Sequence, residues 1–470
     1  MIGNVGSGVT TTANELAEVL TNEYNFRVVR IQVSDFIGSS FVATDKNLSG
    51  LSREQKIDTY QNIGNEIRKR FGNDALARRC IQRVLSDSPQ TQRVAYIFDS
   101  FKHPDEIAVL RRCFEERLIA IAVFCPARVR KVRLLASGLS SSSIDSIFDR
   151  DEFEVEANGQ KVRDTAYLAD FFVRNADSNR VTLKNTVKRY MEILFSTKIH
   201  TPTFDETGMA RAFGAAVNSA CMSRQVGASV YSSEGKLLAT GCNDVPKFGG
   251  GLYGESDSAA DDKRCFNWKN GQCHNDEQKN TIYSEIVEKL IPNEIGSRLP
   301  RSIREEVIKA SKSTRIRDLI EFSRSVHAEM DAIVSVARHG TGSIKDGTLF
   351  SKTFPCHNCA RHIVASGIKR VVFVEPYPKS LALKLHEDSI TVRDEEADKF
   401  VFFVQYEGVS PKVFPRFFSS EKSRKSDGLL LTSSPKTARP NGLPLSASYM
   451  HEAEYLGLPE FQSPLFEMAI

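Results

Sequence analysis

The chain has 470 residues, 41% hydrophobic and 26% charged, with 63 basic side chains against 59 acidic ones and a formal charge of +4. That length allows two or three folding units with buried cores, and so small a charge excess argues against a polynucleotide footprint. No window approaches 18 consecutive apolar residues, which excludes a transmembrane helix, and no basic stretch followed by an apolar one opens the chain, so no secretory signal is expected. Nine cysteines, an odd number, do not suit a disulfide framework and are free for metal binding or catalysis in a reducing cytoplasm.

Residues 1 to about 195 alternate helices and strands. Gly3, Asn4, Val5, Gly6, Ser7, Gly8, Val9 and Thr10 follow the spacing of the phosphate-binding loop Gly-x-x-x-x-Gly-Lys-Thr, with Val9 in the lysine place. The amides around Gly3, Gly6, Ser7 and Gly8 are expected to cradle phosphates at a helix start, with Thr10 reaching a magnesium ion and Thr11 in the same nucleotide site. Such a loop should follow a strand, yet only two residues precede Gly3. A helix runs from Val9 to Leu20, Arg27 to Val33 is a β-branched run, and amphipathic helices follow at about 53–71 and 73–86. Buried-strand patterns run from Val94 to Phe98, ending at Asp99, and from Ile119 to Phe124; Asp170 to Val173 adds a last strand before a helix over Thr182 to Leu194. Strands separated by helices imply a parallel sheet covered on both faces. With Asp99 placed like a magnesium-binding strand-end acid, and with Arg150, Asp151, Gly159, Gln160, Arg163 and Asp164 similar to its later loops, this half resembles a nucleoside or nucleotide kinase fold. Without the lysine the expectation is nucleotide binding for regulation or sensing, not phosphoryl transfer.

Pro202, inside the segment from His200 to Phe204, breaks the helical pattern and marks the expected boundary. A second α/β pattern follows, with a helix over Met209 to Met222 and strands Val226 to Tyr231 and Lys236 to Thr240 joined by a hairpin turn. A polar, glycine-rich insert spans about 246–280 and reads as a long loop. Helices are expected at about 281–292, 302–322 and Ala328 to Arg338, then a strand Thr348 to Lys352, a helix Cys356 to Ser366 and a strand Val371 to Val374. Ser, Lys and Pro enrichment from Ser419 to Ser446 reads as a mobile tail. The expected domains are 1–195, 205–415 and a tail over 416–470.

The chemistry lies in His327, Ala328, Glu329 and in Pro355, Cys356, His357, Asn358, Cys359. Two cysteines three positions apart lie within about 60° on one helix face and can share a metal. Pro355 marks a helix start, where the dipole favours thiolate. With His327 as third ligand, zinc keeps one tetrahedral position open for water, the mark of a catalytic and not a structural site. Glu329, two residues from His327, is expected to shuttle protons without binding metal. His339, His357 and His362 read as surface or packing residues. In the insert, Cys265, Trp268, Cys273 and His274 offer either part of a second zinc site or a loop packed through Trp268.

His-x-Glu followed by Pro-Cys-x-x-Cys is the signature of zinc-dependent nucleobase deaminases, and residues 205–415 resemble the dCMP deaminase branch of the cytidine deaminase superfamily. Ser223 to Ala228 look like that branch's first-strand entry, and Gly241, Cys242, Asn243, Asp244, Val245 and Pro246 stand where it has Gly-Tyr-Asn-Gly-x-Pro. The resemblance implies a five-stranded sheet between helices, Asn243 as a substrate contact, Zn²⁺ on His327, Cys356 and Cys359, and Glu329 as acid and base. It also implies a homo-oligomer acting on free nucleotides, with neither a membrane nor a polynucleotide involved. The fold class is therefore α/β, a P-loop kinase-like parallel-sheet domain followed by a cytidine deaminase-like α/β/α domain. That pairing, with the segments Pro435 to Pro440 and around Tyr449, resembles the bacterial anti-phage dCTP deaminases. This implies cytoplasmic deamination of dCTP and dCMP that exhausts cytosine deoxynucleotides during phage infection, under an activating or inhibitory partner. The alternative is a housekeeping dCMP deaminase with a regulatory P-loop half.

Overall fold

The computed structural model describes residues 1–39, 50–87, 93–153, 159–176, 179–290, 301–377, 379–420 and 423–441. The chain divides into two compact units, one of residues 1–206 together with 405–470 and one of residues 207–404.

In the first unit β1 (Ile2–Gly3) leads into α1 (Val9–Asn22), and β2 (Arg27–Gln32) into the short α2 (Val33–Gly38). The expected pair of helices is α3 (Arg53–Phe71) and α4 (Ala75–Ser86). Ser52 starts α3 through a capping box with Gln55, which satisfies two backbone amides at its entry. Next come β3 (Val94–Asp99), α5 (Pro104–Phe114), β4 (Ile121–Phe124), α6 (Ala127–Ala136), α7 (Ser141–Phe153), α8 (Val162–Ala166), β5 (Phe171–Arg174) and α9 (Arg180–Phe195). Strand β2 pairs with β3, and β4 pairs with both β1 and β5, all in parallel. Phe101, just past β3, bridges Ile2, so the rows join in the order β2, β3, β1, β4, β5. The strand before the glycine loop is thus present, two residues long and central. Ile121 and Val123 on β4 and Phe171 and Val173 on β5 alternate onto one face, where α1 and α9 cover them with Leu16, Val19, Leu183 and Val187.

The second unit continues from α10 (Phe204–Ala216) through the hairpin β6 (Gly227–Tyr231) and β7 (Leu237–Cys242) to α11 (His274–Leu290) and α12 (Arg301–Ser311). It closes with α13 (Ala328–His339), β8 (Thr348–Thr353), α14 (His357–Ala365), β9 (Arg370–Glu375), α15 (Ala382–Leu385), β10 (Ile390–Thr391) and β11 (Val401–Gln405). The sheet has six strands in the order β10, β11, β9, β8, β6, β7, one more than expected, and β10, with two residues, is too short to show a pattern. Strands β8 and β9 run parallel, and β6 is antiparallel to β7 and β8. Helix α11 begins earlier than expected, with Asp276 and Glu277 in its first turn, where the helix dipole favours acids. Helix α12 stops at Ser311, short of the expected 322. There the hydroxyls of Ser313 and Thr314 donate to the carbonyls of Ala310 and Ser311 and compete with the helix ladder.

The expected 205–415 domain and 416–470 tail are both corrected at one point, because residues 405–441 return to the first unit. Strand β12 (Gly408–Val409) adds antiparallel to β5, and α16 (Phe414–Phe418) sets Phe417 into the core, where Ala438 also lies. The Ser, Lys and Pro content of this stretch hides a few apolar anchors, which suffice where a sheet edge and core already exist. The segment around Tyr449 lies outside the described residues. Glu206 fixes the return: fully buried, it accepts from Arg189 at 2.7 and 2.9 Å, from the Thr203 amide at 2.7 Å and from the Val409 amide at 2.9 Å. Glu206→Ala removes one partner of a buried pair and strands both amides. It should cost about 3–5 kcal/mol, read as a lowered urea midpoint.

Candidate functional site

Two helices of the second unit begin at one place. His327 is the N-cap of α13 and Cys356 the N-cap of α14, both with extended backbone. Cys356 therefore stands just outside the helix it was expected to open, and its Sγ accepts from the Cys359 amide at 3.4 Å. His327 Nδ1 lies 3.3 Å from Cys356 Sγ and 3.4 Å from Cys359 Sγ. The three side chains form the only group of three or more potential metal ligands among the described residues. Because Nδ1 faces the thiols, Nε2 is left to carry the ring hydrogen of a metal-bound His327.

The donor set fits zinc: two sulfurs and one imidazole nitrogen, with no fourth protein ligand grouped among the described residues. Hydrogen bonds from Cys359 and the neighbouring His327 pull the Cys356 thiol down to about 4 against its burial. The bond to Cys356 raises His327. Cys359 is pushed up by its bond to Cys356 and by burial, as the second member of a pair that shares one proton.

Glu329 is buried in the first turn of α13. Its Oε2 lies 3.5 Å from Cys359 Sγ, while Oε1 accepts from the hydroxyl of Ser351 at 3.1 Å. Burial, then the nearby Cys356, raises its carboxyl above the ordinary range. Ser351 is fully buried on β8 and was not singled out from the sequence; in a strand that also carries Thr348, Lys352 and Thr353 its hydroxyl gives no distinct signal. Asp331, also not singled out, accepts from the Cys242 amide at 3.1 Å and so ties α13 to the end of β7.

Asn243 follows β7 beside this centre, since Asp244 bridges Val326, the neighbour of His327, through a 2.9 Å bond from the Val326 amide. Its side-chain oxygen accepts from the Val226 amide and its nitrogen donates to the Arg224 carbonyl, both at 2.7 Å. The Asn243 amide thus anchors the 224–226 strand entry and keeps one hydrogen and one lone pair for other partners. Asp244, where the resembled motif has glycine, accepts from the Ala220 amide at 2.7 Å and stiffens the same turn.

Cys265, Cys273 and His274 do not assemble with a further ligand into a second metal group among the described residues. His274 Nδ1 instead pairs with Glu277 at 3.0 Å, and Trp268 is covered by the Arg324 guanidinium 3.8 Å from its ring centre, so the insert packs through the indole. His339 and His362 are exposed, and His357 is half-buried beside Glu321.

In the first unit the glycine loop runs from β1 into α1. Gly6 and Gly8 have φ of +80° and +86°, a conformation that favours glycine. The carbonyl of Gly3 accepts from the Lys102 ammonium, that of Val5 from Arg130 at 2.9 Å and that of Ser7 from Asn175 at 3.0 Å. Thr10 donates to Asp99 at 2.9 Å, which brings together the two residues expected to share a magnesium ion. Ser7 is buried and Thr11 half-buried on the first turn of α1.

Residues 202–375 match the family model of the cytidine and deoxycytidylate deaminase zinc-binding region. The chain is 25% identical over 249 residues to the deoxycytidylate deaminase of Saccharomyces cerevisiae, covering 52% of this chain and 61% of that protein. It is 29% identical over 179 residues to a UPF0200/UPF0201 protein of Archaeoglobus fulgidus, covering 36% of this chain and 49% of that protein. A short stretch of 55 residues is 44% identical to the deoxycytidylate deaminase of phage T4, covering 12% of this chain and 28% of that protein. Among solved structures, the cyanophage S-TIM5 dCMP deaminase in complex with dCMP and dUMP covers 44% of this chain and 99% of its own at 18% identity, with a TM-score of 0.25. The chain thus spans about half to three-fifths of the length of its archaeal and yeast relatives.

Cys356→Ala removes one of three ligands and the N-cap of α14. The purified variant should carry no stoichiometric zinc by elemental analysis, and a full complement of zinc would refute the ligand assignment.

Proposed function

We propose that the chain is a zinc-dependent hydrolase that converts dCTP and dCMP, with water, to dUTP and dUMP plus ammonia. The observation that carries this reading is the convergence of His327, Cys356 and Cys359 with the buried carboxylate of Glu329, inside the region that matches the deaminase family model. Zinc held by the three ligands supplies a Lewis acid that lowers the pKa of a water towards about 7. Glu329 Oε2, on the thiol side of its carboxylate, is placed to take one proton of the attacking water and deliver it to N3 of the cytosine ring, then to take the second from the hydroxyl added at C4 and deliver it to the amino nitrogen that leaves as ammonia. The Ser351 hydroxyl on Oε1 fixes that orientation, and the raised affinity of the buried carboxyl for a proton suits a group that must carry one. Asn243, anchored beside His327, is proposed to use its remaining hydrogen-bonding capacity on the sugar or base of the substrate.

In this reading the glycine loop of the first unit binds a nucleotide with Mg²⁺ through Gly3, Gly6, Ser7, Gly8, Thr10 and Thr11 and regulates the deaminase half. The contact between Thr10 and Asp99 supports the metal, and the left-handed glycines Gly6 and Gly8 ahead of the α1 N-terminus support the phosphate. The paired halves suit a cytoplasmic homo-oligomer that depletes cytosine deoxynucleotides during phage infection, under an activating or inhibitory partner. A second reading, housekeeping dCMP deamination, is favoured by the length of the match to the yeast deoxycytidylate deaminase.

Ammonia release from deoxycytidine, dCMP and dCTP by the zinc-loaded protein separates the two. Turnover of dCTP supports nucleotide depletion, turnover of dCMP alone supports the housekeeping role, and no turnover of any of the three points to a missing activator or a binding role. Glu329→Ala should retain zinc and lose about 10²- to 10⁴-fold in rate; an unchanged rate would overturn the mechanism. Substitutions at Gly6 or Gly8 should change regulation more than basal turnover, and unaltered cell toxicity and phage resistance would refute the regulatory role of the loop.

A further inference from the structure

The loop lacks the lysine of its motif, and the residue in that place cannot supply a cation. Val9 is 8% exposed and its side chain lies in the apolar core of the first unit. A different lysine reaches the loop. Lys102, three residues beyond Asp99, donates from its ammonium to the carbonyl of Gly3, the first glycine of the loop.

Lys102 is held in place from both sides. Its amide donates to Glu106 Oε2 at 2.8 Å, and its carbonyl accepts from the Lys161 amide at 2.8 Å. Glu106 is itself fully buried and fixed by Arg68 at 2.9 Å. Lys102 therefore stands on a rigid support, and it lines one cavity of about 440 Å³ together with Thr10 and Asp99. That is within the usual range for small-molecule sites.

The cavity is furnished for a ligand that is anionic at one end and apolar at the other. Gln61 on its wall is 7% exposed, and its amide nitrogen is buried with no hydrogen-bond partner among the described residues. Arg53 and Lys56, also on the wall, take part in no ion pair among the described residues. Ile57 and Tyr60, from the same helix, add apolar and aromatic surface.

We propose that Lys102 replaces the missing loop lysine as the phosphate-binding cation, and that the cavity between the loop and α3 takes a nucleoside phosphate. The ammonium exchanges the Gly3 carbonyl for a phosphate oxygen when the ligand binds, so the site is charged correctly although the motif is incomplete. This rests on the reading of the loop as a nucleotide site.

The test is calorimetric titration of the full, zinc-loaded chain with Mg²⁺ and the mono- and triphosphates of adenosine, guanosine and their deoxy forms, which carry no cytosine for the deaminase centre. Lys102→Met should weaken binding about 10- to 100-fold, the loss of one charge-assisted contact. Lys102→Arg should stay within a few-fold of the parent, and adenosine without phosphate should not respond to either change. Zinc content and melting temperature of each variant identify misfolding, and affinity is referred to the folded fraction. Equal affinity of the parent and Lys102→Met would overturn the role of Lys102 while leaving the loop a nucleotide site. Absence of binding by the parent would overturn the loop reading and the Lys102 proposal together.

Discussion

The second unit is organised around the meeting of two helix N-termini. Each leaves backbone amides without intrahelical partners and carries the positive end of a helix dipole. One is capped by Cys356, whose sulfur accepts from the Cys359 amide, and the other begins at His327, so thiolate and imidazole gather where the field favours negative charge. The surrounding strands serve that meeting. Strands β6 and β7 carry the Asn243 turn to the start of α13, and β8 places Ser351 behind Glu329 before delivering Cys356 to α14. At Gly241 the packing is so close that a Cβ would lie 2.4 Å from the Ala328 carbonyl and from the Ala332 amide nitrogen. Backbone has no rotamer with which to yield, so the glycine sets how near β7 approaches the helix that bears His327 and Glu329.

The same close-approach logic recurs in the first unit with different chemistry. A Cβ on Gly3 would meet Val9, Ser7 and the Val123 carbonyl within 2.8 Å, so the loop can leave the central strand only through glycine. Lys102, Arg130 and Asn175 then donate to the carbonyls of Gly3, Val5 and Ser7. Burial of Glu106 against Arg68 keeps Lys102 in register, while Glu206 closes the sheet edge by binding the returning β12. Buried carboxylates with several donors thus fix both ends of this unit. Their worth lies in geometry more than in net stability, since desolvation offsets much of a buried ion pair's attraction.

The sequence by itself determined which residues could gather as His327, Cys356 and Cys359 do, the acid beside them and most of the strand and helix pattern, because these depend on spacing. Cys356 and Cys359 three positions apart, with Pro355 before them and a His-x-Glu pair upstream, are local facts that survive any packing. The glycines of the loop before α1 and the apolar runs of β3, β4 and β9 are equally local, since left-handed backbone and burial each select residue types directly.

What only the tertiary structure decided involves partners far apart in the chain or elements too short to show a period. Strand β1 has two residues, and β12 has two more reached after about 230 residues of chain, so neither has a pattern to read. That Ser351 supports Glu329, that Asn243 is spent largely on its neighbours' backbone, and that Lys102 reaches Gly3 are each contacts between separate elements. Composition also misled in the region after residue 415, where one phenylalanine and one alanine in a waiting core outweigh a polar stretch. Spacing specifies which groups can act together on one element; packing decides which groups from different elements meet, because that depends on the free energy of the whole buried core and not on any one segment.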